Sequence, residues 1–272
     1  MSLFICPYCK KSLTEEQNRY ICENSHSFDK AKEGYVHLLP VNKMHSKIPG
    51  DTKEMVNSRH RFLGSGLYDI FSDKLNELVL RYASDNMTIV DAGCGEGYYT
   101  KRLSEALFSY DDISIAGFDI SKFAVRYASK NDRRNEYAVA SIFDIPVEDE
   151  KADIIVNVFA PIVEKEFFRI LKKGGVLIIA VPSEDHLFGL KEIAYEKPYK
   201  NEVKNTEYQG FELKERIPVR GEINTEDSSL ISDLFNMTPY YLKTGTEGKE
   251  KIEKCGKLST KIGFDFLIYE KI

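Results

Sequence analysis

Cys6-Pro7-Tyr8-Cys9, twelve intervening residues, then Cys22, three more residues and His26 give two ligand pairs within twenty-one positions. Zinc takes thiolate and imidazole ligands in a tetrahedron. A C-x2-C pair followed by C-x3-H closes such a site with protein atoms alone. Ordinary buried thiols beside a surface histidine are the competing explanation, but two pairs at ligand spacing in so short a segment favour the metal. With Cys6, Cys9, Cys22 and His26 filling four positions, the expected zinc is structural, because a catalytic zinc keeps one position open. Residues 1–40 are too few to bury a core unaided, so the metal has to hold their shape.

The rest of the 272-residue chain is long enough for one full α/β domain. No apolar run approaches a membrane span and no basic-then-apolar leader opens the chain, so a cytoplasmic protein with no membrane partner is expected. Cys94 and Cys255 remain outside the metal set and are expected to be reduced thiols. The net charge of -5 argues against a general nucleic-acid binder, and DNA is not an expected partner. Residues 1–62 nevertheless hold ten Lys/Arg against seven Asp/Glu, which permits an RNA-facing front end.

Residues 41–53, with Pro49-Gly50 as a turn, form a polar linker. Asp51 or Thr52 caps a helix carrying Met55, Arg59, Phe62 and Leu63, and a second helix carries Ile70, Leu75, Leu78, Val79 and Tyr82 at helical spacing. Residues 41–82 thus comprise linker and leading helices. Strands are then predicted at 87–92, 113–118, 135–140, 152–158 and 176–181, alternating with helices at 98–108, 121–130 and 163–171. Such alternation specifies βαβ units and a parallel sheet covered on both faces. Residues 183–210, charged and aromatic with a helical stretch near 186–196, interrupt it as a candidate lid. Strands at 211–217 and 263–270, flanking a helix near 226–235, complete a mostly parallel seven-stranded sheet across 83–272.

The first strand ends in Ile89-Val90-Asp91-Ala92-Gly93-Cys94-Gly95-Glu96-Gly97, a glycine turn running into a helix. Glycines permit the sharp turn and close approach to a ligand, and the helix N-terminus offers free N–H groups to an anion. A dinucleotide fingerprint would be G-x-G-x-x-G. Here the third glycine comes one residue early and Tyr98 takes its slot. Asp119 ends the second strand, placed to accept from both hydroxyls of a ribose; the alternative is a helix cap ahead of Ser121. Ser141 and Ile142 follow the third strand, where an adenine ring would lie against Ile142 with Ser141 or Asp144 near its amino group. Asn157-Val158-Phe159-Ala160-Pro161 ends the fourth strand at the carboxyl edge of the sheet.

Taken in order, Cys6 to His26, Lys30 to Pro40, Pro49-Gly50-Asp51, Asp91 to Thr100, Phe159-Ala160-Pro161 and Met237-Thr238-Pro239 resemble the RlmA family over essentially the whole chain. The resemblance implies a Rossmann-like S-adenosylmethionine-dependent methyltransferase fold with an N-terminal zinc-binding domain for RNA recognition. It implies methylation of guanine N1 in a hairpin loop of domain II of 23S ribosomal RNA, and a homodimer. One branch of that family, found mainly in Gram-positive bacteria, affects sensitivity to macrolides such as tylosin, and the lysine- and asparagine-rich composition leans toward it. Cofactor contacts are then expected from Asp91, Gly93, Gly95, Gly97, Tyr98, Asp119, Ser141, Ile142 and Asn157. Where family members carry tyrosine before Ala160-Pro161 this chain has Phe159, so no hydroxyl role carries over.

Guanine N1 bears a proton that something must accept. Glu164, with Asp185 second, is the candidate, each with a solvated surface carboxylate as the alternative, and Phe159 and Pro161 would wall the extruded base. Tyr8 or Tyr20 would stack on unpaired bases, or serve as core of the zinc module. Two rival functions remain: a small-molecule methyltransferase with an incidental zinc module, and a non-catalytic RNA-binding protein. The intact Gly93–Gly97 turn with Asp119 weighs against the latter.

Overall fold

The computed structural model describes residues 2–44, 46, 49–202 and 206–272. His45, Lys47 and Ile48 of the expected linker, and Val203, Lys204 and Asn205 of the expected lid, lie outside the described residues. The chain begins with β1 (Thr14–Glu16), β2 (Arg19–Ile21), β3 (Ser27–Asp29) and β4 (Val36–His37). Helix α1 (Lys53–Gly64) starts where Thr52 Oγ1 accepts the Met55 N–H, satisfying one of the donors a helix start leaves open. Then follow α2 (Asp69–Leu80), β5 (Thr88–Ala92), α3 (Tyr98–Ala106), β6 (Ser114–Asp119), α4 (Lys122–Asn131), β7 (Glu136–Val139), β8 (Ala152–Val158), α5 (Glu164–Ile170) and β9 (Leu171–Pro182). The chain closes with α6 (Phe188–Ala194), β10 (Phe211–Thr225), α7 (Ser228–Asn236), α8 (Tyr240–Lys243), α9 (Thr246–Glu253) and β11 (Leu258–Lys271).

The main sheet runs β10-β11-β9-β8-β5-β6-β7-β4. Strands β7, β6, β5, β8 and β9 are parallel, while β11 runs antiparallel between β9 and β10. Order reverses on the two sides of β5, so the carboxyl ends of β5 and β8 open a crevice at the switch point, the place where such sheets bind ligands.

The seven expected strands are present, and an eighth joins them from the N-terminal segment. Val36 and His37 of β4 pair in parallel with Ala138 and Val139 of β7. The segment also shares a core: Phe4, Cys6, Leu13, Tyr20 and Cys22 pack in one buried cluster with Val90, Phe118, Ile155 and Leu177 of the central strands. Physically, three short strands around a metal present an apolar face that they cannot cover themselves, and the sheet covers it.

The opposite face buries α1, α2, α3, α6 and α7. Phe71 of α2 stacks on Phe264 of β11 with ring centroids 3.6 Å apart. Helix α6 belongs to this core rather than to a mobile lid: Leu190, Lys191 and Ala194 are buried, and the Lys191 ammonium donates to Tyr199 O and Asn201 Oδ1. Asn201 in turn donates to Ser183 O and His186 O, which ties residues 183–201 into one packed unit. Strands β10 and β11 extend well beyond the sequence expectation, β10 onward through Pro218 and Gly221 to Thr225 and β11 back to Leu258. Helices α8 and α9 were not anticipated, because Pro239 and Gly245 interrupt their pattern. Strand β10 is an exposed edge blunted by a bulge between Leu213 and Glu215, by Pro218 and by charged side chains, the usual protection against pairing with another chain. No helix among the described residues is long and apolar enough to cross a membrane.

Candidate functional site

The four expected metal ligands converge. Cys6 Sγ and Cys22 Sγ lie 3.5 and 3.4 Å from His26 Nδ1, and Cys9 Sγ lies 3.6 Å from Cys22 Sγ. All four ligand atoms fall within 4.8 Å of one another. Zinc bonds of about 2.3 Å to sulfur and about 2.0 Å to nitrogen give a tetrahedron with edges of roughly 3.5 to 3.8 Å. The observed separations are edges of that tetrahedron rather than hydrogen bonds, and the donor set fits zinc. Of the two tyrosines offered for stacking, Tyr20 is buried core, whereas Tyr8 is exposed and stacks on Phe28.

The second site lies in the crevice between β5 and β8. Gly93, Gly95 and Gly97 all have positive φ, as the turn requires, but their missing side chains do different jobs. A Cβ on Gly93 would stand 2.4 Å from Ala160 Cβ, and one on Gly97 would stand 2.7 Å from Ala128 Cβ. Those two glycines admit protein. Only at Gly95 is the space open, with the Arg59 guanidinium 3.9 Å away as the nearest group. Ala160 follows Phe159, whose φ of 55° is strained for a bulky residue, so the β5 and β8 turns are locked together through the Gly93–Ala160 contact.

Around this opening stand groups able to hold S-adenosylmethionine. Asp119 Oδ2 accepts the Gly95 N–H at 3.2 Å and Oδ1 accepts the Ser121 N–H at 2.7 Å, which orients the carboxylate and leaves further lone pairs for ribose hydroxyls. Burial pushes its carboxyl above the ordinary range, against the pull of the Ser121 N–H. The helix-cap alternative is also partly realised, but by Ser121, whose Oγ accepts the Ala124 N–H. Asn157 is fully buried, its Nδ2 donating to Ala92 O at 2.9 Å while Oδ1 has no partner among the described residues. Such an orphan acceptor is costly unless a ligand satisfies it. Arg59 pairs with Asp51 and donates to Met237 O, bringing Pro49-Gly50-Asp51 and Met237-Thr238-Pro239 to the same rim. Sequence reasoning placed Arg59 only as a helix residue; the fold sets its guanidinium, paired with Asp51, beside the open position at Gly95.

Most of the other expected side chains meet partners within the protein. Asp91 is buried under the turn, where Oδ2 accepts from Thr100 Oγ1 at 2.5 Å, and burial pushes its carboxyl up to about 7. The Tyr98 side chain is engaged by α2, its hydroxyl donating to Asp69 Oδ1 at 2.6 Å, so it can offer the crevice only its backbone N–H at the start of α3. Ser141 Oγ accepts the Phe143 N–H, and Ile142 is buried against the N-terminal cluster. Asp144 is occupied by Lys10 and Lys43 at 2.6 Å each; burial alone would raise its carboxyl, but these two lysines hold it below the ordinary value. Asp185 is held low by Lys200 at 3.0 Å, which makes it a poor proton acceptor. Glu164 opens α5 and lines a shallow cavity with Ile162, Val163, Lys165 and Tyr208. Pro161 is exposed beside Phe159.

Phe159 forms an exposed aromatic ledge, backed edge-on by Phe264 at 4.2 Å and by His186 at 5.8 Å. His186 Nδ1 accepts the Gly263 N–H, so Nε2 carries the hydrogen and faces Tyr68 Oη at 3.4 Å. Burial lowers its pKa from 6.5 to about 3. The folded chain therefore takes up no proton there above about pH 3, while the unfolded chain does so near 6.5. Stability is expected to fall as pH drops below about 6.5, and His186→Gln should flatten that acid limb in thermal melts taken between pH 7 and 4. An unchanged limb would remove His186 as its source.

Asp119→Ala removes a charged acceptor facing the opening. At about 1.5 to 3 kcal/mol per charge-assisted hydrogen bond, S-adenosylmethionine affinity should fall at least tenfold by calorimetry. Unchanged affinity would place the ribose elsewhere.

Residues 4–47 match the family described as RlmA, N-terminal, a zinc ribbon, and residues 83–226 match a methyltransferase domain. The 23S rRNA (guanine(748)-N(1))-methyltransferase of Streptomyces fradiae is 37% identical over 185 residues, 67% of this chain and 64% of that enzyme, slightly under two thirds of its length. YxjB of Bacillus subtilis (strain 168), to which 23S rRNA (guanine-N(1)-)-methyltransferase activity is provisionally ascribed, is 29% identical across 98% of this chain and 96% of its own. A Micromonospora griseorubida protein with the same provisional ascription is 32% identical over 68% of this chain and 67% of its own.

Proposed function

We propose that this chain, which belongs to the RlmA family of methyltransferases, transfers a methyl group from S-adenosylmethionine to N1 of a guanine in 23S ribosomal RNA. The observation that carries the reading is the union of a Cys3His zinc ribbon with an open glycine turn at the switch point of the sheet. The finer reading, a hairpin loop of domain II and the branch connected with tylosin, rests on the sequence resemblance alone; the Streptomyces fradiae relative is named for guanine 748 of 23S rRNA. A homodimer is part of the same proposal, with its contact away from the blunted β10 edge.

Bound in the crevice, the sulfonium supplies an electrophilic methyl group. The chain's own residues position and desolvate. Arg59 would answer the methionine carboxylate, Asn157 Oδ1 would accept from its ammonium, and Asp119 would hold the ribose. In-line displacement needs mainly such alignment. The target base must leave its stack, and the Phe159 ledge beside Pro161 gives it a face to rest on. Glu164, the first residue of α5, takes the N1 proton as the N1–methyl bond forms.

Phe159→Ala should keep cofactor binding intact while RNA turnover falls by the value of one stacked base, about 1 to 3 kcal/mol. Tritiated cofactor with protein-free ribosomal RNA, followed by primer extension to find the stop, measures this. A Phe159→Ala protein methylating at the native rate would remove the ledge from the site. Absence of label in RNA with the native chain would leave the small-molecule alternative.

A further inference from the structure

The crossover from β7 to β8 contains no helix: residues 140–151 pass as a loop. Parallel strands are ordinarily joined across a face by a helix that covers the sheet. What covers this face instead is the zinc module. Ile5 N–H donates to Pro146 O at 2.9 Å, and Phe4 forms an antiparallel bridge with Val147. Ser12 Oγ donates to Glu148 Oε1 at 2.5 Å, and Lys10, the residue after ligand Cys9, donates to Asp144. Ile142, Ile145 and Val147 of the loop lie in one buried cluster with Phe4, Cys6 and Leu13.

We infer that the zinc module is a working wall of the cofactor site: it sets the conformation of the 141–148 loop, and Lys10 is a positioning residue for cofactor binding. This goes beyond RNA recognition by the module and rests on the reading that the loop borders the adenine, since it leaves β7 beside Asp119, where the Ala140 N–H donates to Asp119 O at 3.0 Å. Helix α5 grips the same loop from the other side, with Arg169 donating to Ile145 O and Val147 O at 2.8 Å each. That grip needs no metal, so loss of zinc should loosen the loop rather than unfold the sheet. The distal part, Ser141 to Asp144, depends on the module and on Lys43.

The test compares S-adenosylmethionine binding by calorimetry in the zinc-loaded protein, the chelator-stripped protein, Lys10→Met and Lys11→Met. Lys11 pairs with Glu23 inside the module and does not reach the loop. Stripping should weaken binding at least tenfold. Lys10→Met, with zinc retained, should weaken it about threefold and raise KM for the cofactor at unchanged kcat and melting temperature, whereas Lys11→Met should bind as the native chain does. Stripped protein and Lys10→Met both binding within experimental error of the native chain would overturn the inference. Should stripping unfold the whole protein, the Lys10→Met and Lys11→Met contrast decides alone. A zinc-loaded native chain that binds no cofactor would instead refute the reading of the crevice, and this inference with it.

Discussion

Cys22→Ser is expected to lose its zinc and several kcal/mol of stability together. Structural zinc contributes about 10 to 16 kcal/mol of binding energy in small modules, and serine is a poor replacement for a thiolate ligand. Cys22 is also buried in the cluster that runs under the central strands. The loss therefore does not stop at residue 40. Because β4 and the 141–148 loop lean on the same cluster, the melting transition of the whole chain should fall and cofactor affinity should weaken, in contrast to two domains joined by a linker. Metal analysis and thermal unfolding of the purified variant check this. One zinc per chain with an unchanged transition would mean that Cys22 is not a ligand.

Gly93→Ala is expected to be the most damaging single methyl group that can be added near the site. Its backbone has φ of +89°, which an L side chain adopts only under strain, and the new Cβ would meet Ala160 Cβ at 2.4 Å. Strain of about 1 to 3 kcal/mol and overpacking of a similar size act together. The clash can be relieved only by moving the Phe159-Ala160-Pro161 turn, so S-adenosylmethionine affinity and RNA turnover should both fall by at least a hundredfold. Gly174→Ala is the control: φ is +72° but nothing lies within 4 Å, so it should show the backbone strain alone, with binding intact. Native-like turnover in Gly93→Ala would show that the two turns are not locked.

Much of this molecule is written in local spacing. Ligand pairs at C-x2-C and C-x3-H, a glycine turn between an apolar strand and a helix, and a carboxylate ending the next strand are each set within a few residues, so the Cys3His cluster and the Gly93–Gly97 turn were legible before any fold was known. The alternation of strands and helices gave the sheet for the same reason, since a period of 2 or 3.6 is a property of neighbours along the chain. Element ends were less legible where proline, glycine and small polar residues break a strand pattern, as at the outer ends of β10 and β11.

What only the tertiary structure decided are the pairings across long separations. Arg59 stands beside Gly95 because α1 packs against α7 and α4, a placement no helical spacing discloses. Asp144, a candidate for adenine by position, is claimed by Lys10 and Lys43, 134 and 101 residues away in sequence. Tyr98 turns its hydroxyl to Asp69, and within the charged, aromatic 183–210 segment α6 packs into the core, where Lys191 finds Tyr199 O and Asn201. A residue type states what a side chain can bond to. Which partner it meets is settled only when burial forces each polar group to find one, and that choice belongs to the packed chain.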